Sequence, residues 1–227
     1  MKLQLALMSQ GADKESGATP RPDIDRLRVR IETCRDCAAV SSISLPAREF
    51  LVKYLKREYA DLGSTRVLVI GGCAPIDPFG LPNSHPEAPN PFATRLYDLV
   101  GVKNFVEFKA HFALTDAARC HAIGNRVDER TLEYCAKYLR EELKLFPNLH
   151  SIVILGEYAY MQFQKHILGR ERARIKAFGE LLKAEGWAQE TVRLPSHGER
   201  DMRIFYCYHP TFENRKSPSI AAYLEQA

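Results

Sequence analysis

The chain has 227 residues, a formal net charge of +4 and 45% hydrophobic residues. That is enough length and apolar content for one substantial core, and it argues against a disordered or fibrous chain. No apolar run reaches the length of a membrane span, and the first residues, MKLQLALMSQGADK, lack a convincing cleavage site. The mild basicity is compatible with nucleic acid without requiring it. Six cysteines in such a chain point to metal or catalytic chemistry rather than to disulfides, and the expected setting is cytoplasmic.

Residues 1–23 read as a polar, flexible lead-in, and residues 24–227 as a single domain. Ile24–Val40 carries Cys34-x2-Cys37. Ser44–Leu62 has helical apolar spacing. Val67–Ile70 has no polar alternation, the mark of a strand buried on both faces of a parallel sheet, and Gly71-Gly72 are expected to end it. A long proline-rich loop follows, to Pro91. Loops of this length inside a compact domain are usually functional, and ligands of open α/β sheets bind just past the carboxyl ends of strands.

Phe92–Val100 reads as a short helix, Phe105–Glu107 as an edge strand, and Ala113–Asn125 as mixed. Asp128–Phe146 is a clear helix, with Leu132, Cys135, Leu139 and Leu143 on one face and acids at its start. Ser151–Leu155 is a second buried strand, followed by helices over Glu157–Ile167 and Gly169–Lys183. Glu190–Leu194 and Ile204–Tyr208 read as strands, His209–Lys216 as a polar loop and Ser217–Glu225 as a closing helix. The alternation predicts a three-layer α/β/α sandwich around a mostly parallel, four-stranded sheet.

Four cysteines form a pattern: Cys34, Cys37, Cys120 and Cys135. Four soft thiolates suit zinc or an iron–sulfur cluster, and the spacing does not choose between them. Cys135 also lies on an apolar helix face, where a free cysteine can simply be core.

Together these blocks resemble the uracil-DNA glycosylase superfamily, most closely its iron–sulfur branch. The CxxC comes first. Val67–Pro75 (VLVIGGCAP) resembles a strand followed by G-x-A-P. Asn90-Pro91-Phe92 matches a Pro-Phe whose ring stacks on the extruded base. Thr115–Cys120 with Asn125-Arg126 resembles T-N-x-x-K-C followed by N-R, and His209–Arg215 (HPTFENR) resembles H-P-S-P-x-N-R. The resemblance implies a [4Fe–4S] cluster on Cys34, Cys37, Cys120 and Cys135, with zinc the alternative. It also implies a monomer that flips a nucleotide out of DNA and hydrolyses its N-glycosidic bond.

The implied base pocket contains Cys73, Ala74, Phe92 and Asp116. His209 would donate to the departing base, and Thr211, Asn214, Arg215 and Lys216 would contact phosphates. Two positions depart from the branch's pattern. Cys73 stands where the loop normally carries a water-orienting Glu, so Asp77, in Asp77-Pro78-Phe79, is the carboxylate expected to take that part. Asp116 stands in place of the uracil-reading Asn. An ionised Asp only accepts hydrogen bonds, so it would repel uracil O4 and accept from cytosine N4. A modified cytosine, as in altered phage DNA or a damaged base, is therefore the expected target. A catalytically inactive DNA-binding or sensor module is the alternative that Cys73 favours.

Overall fold

The computed structural model describes residues 22–37, 43–44, 62–73, 91–122, 126–170, 174–198, 200–211 and 217–224. The Ser44–Leu62 helix expectation falls almost wholly outside them. So do the proline-rich loop with Ala74 and Asp77, and the stretch with Asn214, Arg215 and Lys216.

Five strands form the central sheet: β1 (Val67–Cys73), β2 (Phe112–Ala118), β3 (Ser151–Leu155), β4 (Trp187–Arg193) and β5 (Asp201–Cys207). Their order is β2-β1-β3-β5-β4, with β2, β1, β3 and β5 parallel and β4 antiparallel to β5. The first three strands are buried on both faces apart from the half-buried Cys73 at the tip of β1. That is the physical reason their sequences run apolar without alternation.

Helices cover both faces. On one side, α4 (Glu129–Leu143), α5 (Gly156–Gln162, running on as a π-helical turn over Phe163–Ile167) and α6 (Ile175–Leu181) pack on Leu68, Ile70, Ile152 and Ile154. On the other, α1 (Pro22–Thr33), α2 (Pro91–Val100), α3 (Phe105–His111) and the short α7 (Ala221–Leu224) pack on Val67, Val69, Val153 and Phe205. The architecture is thus the expected sandwich, with five strands in place of four. A two-residue antiparallel ladder, Ile43–Ser44 with His121–Ala122, lies apart from the sheet. No helix among the described residues is long and apolar enough to cross a membrane.

Three expectations are corrected. The fifth strand is β2, where Thr115 and Asp116 interrupt the apolar run. Both are buried, Thr115 within a polar network and Asp116 beside it, so the pattern hides the strand. Phe105–Glu107 is helix, not edge strand. Asn104 caps it, accepting from the Glu107 N–H at 3.0 Å while the Glu107 carboxylate accepts from the Lys103 N–H at 2.8 Å, close to a reciprocal capping box. Finally, β1 does not stop at Gly71-Gly72. It continues to Cys73, which pairs with Ala118.

Candidate active site at the carboxyl ends of the parallel strands

The tips of β1, β2, β3 and β5 bring together residues from five parts of the sequence. His209 follows β5 by two residues. Its imidazole packs on Phe92, in the first turn of α2, with ring centroids 5.4 Å apart and planes tilted by 31°. Arg95, one turn further along α2, donates to the Pro210 carbonyl at 2.9 Å and ties the His209 segment to the same helix. On the other flank, Gly156 begins α5 straight after β3 with φ +83°. A Cβ there would lie 3.2 Å from the His209 Cβ. Glycine is required twice over at this position, by the left-handed backbone and by the approach of His209.

Thr211 sets the tautomer of His209. Its hydroxyl lies 2.8 Å from Nδ1, and its backbone N–H donates to the same atom at 3.4 Å. A backbone N–H can only donate, so Nδ1 is the acceptor and the ring proton sits on Nε2. Burial lowers the imidazole's pKa from 6.5 to about 4, so the ring is neutral at neutral pH. Thr211, expected at phosphate, spends its hydroxyl on this histidine.

Across the site, Asp116 is 3% exposed and pairs in register with Gly71. A Cβ on Gly71 would meet Asp116 Oδ1 at 2.4 Å, so that glycine leaves the room the carboxyl occupies. Oδ2 is buried and has no hydrogen-bond partner among the described residues. Burial raises the Asp116 pKa from 3.8 to about 7, with Arg119 pulling it down and Glu142 pushing it up. This corrects the premise that Asp116 meets the base as a fixed anion. A carboxyl without a partner in the interior is biased toward its acid form, so near neutral pH Asp116 is a balance of acid and anion.

Beside Asp116 lies a polar network that sequence reading missed. Glu142, on the last turn of α4, accepts from the Thr115 hydroxyl at 2.8 and 3.0 Å and forms an ion pair with Arg119. Arg119 also bonds Thr115. Both partners of the ion pair are almost wholly buried. Arg119 follows β2 directly, and its backbone N–H donates to the Cys135 thiol at 3.4 Å.

Cys73 is half-buried at the tip of β1 and packs on the α4–α6 side. Next to it, Gly72 faces Tyr158 of α5, whose Cβ and Cδ2 lie 3.5 Å from where a Gly72 Cβ would be. Gly156 and Tyr158 were not singled out from the sequence. The available signal was a glycine placed immediately after a buried strand.

Cys34 and Cys37 at the end of α1, Cys120 after β2 and Cys135 on α4 converge. Cys37 is in hydrogen-bonding contact with Cys120 and Cys135, and these contacts push its thiol down to about 3. The same contacts hold Cys120 and Cys135 in the thiol form, and the charge of Cys34 also bears on Cys120. Among the described residues, no group of three or more His, Cys, Asp or Glu closes into metal-holding geometry.

No curated protein matches the chain. A family model described as the uracil DNA glycosylase superfamily matches residues 57–226, a span that includes every strand of the sheet together with Phe92, Asp116 and His209. The chain therefore belongs to the uracil DNA glycosylase superfamily.

Proposed function

We propose that the protein is a DNA glycosylase that hydrolyses the N-glycosidic bond of a non-standard pyrimidine held outside the DNA stack. The superfamily is one of DNA N-glycosylases. The observation that carries the reading is His209. It is a neutral imidazole with its proton on Nε2, fixed at a strand end by Phe92, Thr211 and Gly156.

As the C1′–N bond breaks, both electrons leave with the base and the sugar becomes oxocarbenium-like. A neutral N–H aimed at the base oxygen stabilises that negative charge without supplying a full proton. Water then bonds to C1′ and loses its proton, leaving an abasic site. Asp77 is the residue proposed to orient that water and balance the cationic sugar. Phe92 would wall the extruded base, a contact worth about 1–3 kcal/mol by stacking.

A modified cytosine is the favoured base. An Asp116 carboxylate accepts from an exocyclic amine. The protonated acid accepts from that amine and also donates to the ring nitrogen beside it. A cytosine-type base is served by both forms, whereas uracil, with its O4 acceptor, is served only by the acid. Resistance to phages with altered cytosines is one setting in which such an activity is useful.

Cys34, Cys37, Cys120 and Cys135 would hold a [4Fe–4S] cluster, or zinc. Support comes from the approach of these soft donors to one another, Cys37 against Cys120 and Cys135 with Cys34 beside them. When bound, the group supplies a covalent staple between α1, the end of β2 and α4. Iron and sulfide analysis with an absorption spectrum tests this: brown protein is expected, and colourless protein containing zinc would replace the cluster.

The activity test is a panel of oligonucleotides carrying uracil, hypoxanthine, hydroxymethylcytosine and glucosylated hydroxymethylcytosine, followed by alkali to break abasic sites. Cleavage at a cytosine derivative is expected. Cleavage at uracil alone would refute the assignment of the base. Cys73, in place of a loop carboxylate, favours a second reading, a module that binds DNA without cutting it. Binding with no cleavage at any base would establish that reading.

A further inference from the structure

Two carboxyl groups, Asp116 and Glu142, lie near one buried guanidinium, Arg119. They share it unequally. Glu142 takes an ion pair from Arg119 and hydrogen bonds from Thr115 on both oxygens. The Nη atoms of Arg119 go to Glu142 and Thr115, and its Nε has no partner among the described residues. Asp116 therefore feels Arg119 only through space, with its Oδ2 unpartnered. One cation cannot hold two buried anions. Glu142 owns the ion pair and the hydrogen bonds, and the buried carboxyl left without them favours its protonated form.

We infer that Glu142 is a specificity-determining positioning residue: by monopolising Arg119 and Thr115 it leaves Asp116 to face the base as a carboxylic acid, a donor and an acceptor together. The inference rests on the glycosylase reading above for its consequence but not for its chemistry. The charged groups acting on Asp116 among the described residues are Arg119, at the end of its own strand, and Glu142, from α4. The adjacent strand β1 presents Gly71.

The consequence is a base preference that changes with pH. While Asp116 is an acid, it can serve a base with a ring N–H and a carbonyl, as well as one with a ring nitrogen and an amine. Once it ionises, only the amine-bearing base still finds its partner. Above the Asp116 titration, excision of uracil relative to hydroxymethylcytosine should therefore fall about tenfold per pH unit. Neutralising Glu142 frees Arg119 for Asp116, which should then ionise at lower pH.

Two measurements on the full-length protein test this. Single-turnover excision of uracil and of hydroxymethylcytosine is followed across pH for wild type, Glu142→Gln and Asp116→Asn. The break in the uracil-to-hydroxymethylcytosine ratio should move at least about one pH unit downward in Glu142→Gln and vanish in Asp116→Asn. A ratio that does not depend on pH in wild type, or a break unmoved in Glu142→Gln, overturns the inference. A purely structural Glu142 would lower rates without moving the break.

The second measurement needs no activity. The carboxyl carbon of Asp116, assigned by its loss in Asp116→Asn, is titrated by carbon NMR in wild type and Glu142→Gln. Protonation persisting to near-neutral pH in wild type, with a lower midpoint in the variant, is expected. A wild-type midpoint below about pH 5 overturns the inference even if Glu142→Gln does not fold. If no base is excised but the titration behaves as expected, the glycosylase reading fails and the control of Asp116 by Glu142 stands.

Discussion

His209 follows β5 and Asp116 lies near the carboxyl end of β2, and burial shifts each toward its neutral form in a different electrostatic setting. At His209 burial alone lowers the pKa, and the polar neighbour at Nδ1, Thr211, is uncharged. At Asp116 burial is the largest cause, but a buried cation and a buried anion pull in opposite directions beside it. An insulated group holds one protonation state across a wide pH range, as a fixed donor must. A group balanced against charges can be moved by changing one of them, as a reader of bases can use. Under the proposed function, the contrast suits the His209 side to bond-breaking and the Asp116 side to discrimination.

The largest expected effect is at the insulated group. His209→Ala should lower single-turnover excision by about 10²–10³-fold while DNA affinity changes little, since the Nε2–H acts on charge that develops only as the bond breaks. Equal losses in binding and turnover would show that His209 holds substrate rather than stabilising the leaving base.

Phe92→Ala comes next. It removes the proposed wall for the base and the packing that holds His209, at a cost of about 1–3 kcal/mol, or roughly 5- to 150-fold in excision. Retention of the wild-type rate would leave Phe92 as core packing only.

Gly71→Ala should act on the other side. Its Cβ would fall 2.4 Å from Asp116 Oδ1, so the carboxyl must shift. A stability loss of about 1–3 kcal/mol by chemical denaturation is expected, with weakened base discrimination and a largely preserved His209 step. Unaltered discrimination would detach Asp116 from base reading.

The smallest effect on any one step, and the one that separates the two groups most cleanly, is the pH dependence of stability. Asp116 titrates at about 7 folded against 3.8 ordinarily, so the folded chain carries the extra proton and stability falls as pH rises through that window. His209 titrates at about 4 folded against 6.5 ordinarily, so the unfolded chain takes the proton first and stability is lost as pH falls from 6.5 to 4. Each slope is at most about 1.4 kcal/mol per pH unit, and between pH 4 and 6.5 the two oppose each other. Asp116→Asn should leave stability rising with pH over this range, and His209→Asn should leave it falling. Denaturation midpoints across pH that respond identically in the two variants would remove the contrast.

Much of this layout was legible in the residues. Val67–Ile70 and Ser151–Leu155 are uninterrupted apolar runs, and a strand buried on both faces has no other way to look. The α4 stripe, Leu132, Cys135, Leu139 and Leu143, turned out to be buried as its spacing required. The order of the motifs pointed to the superfamily whose family model matches residues 57–226. β2 was illegible because two of its residues, Thr115 and Asp116, are polar and buried. Thr115 is satisfied by Glu142, 27 positions away, and pattern reading takes a buried Thr-Asp pair for a surface.

The sequence by itself therefore determined the class of fold, its two uninterrupted buried strands and the α4 stripe, because periodicity and local motifs are properties of neighbouring residues. Only the tertiary structure decided the chemical form that Asp116 and His209 take. Whether Asp116 is an acid or an anion depends on which carboxyl wins Arg119, and whether His209 donates from Nε2 depends on Thr211 closing back on Nδ1. Protonation follows burial and the charges brought alongside, and both are set by how distant segments pack.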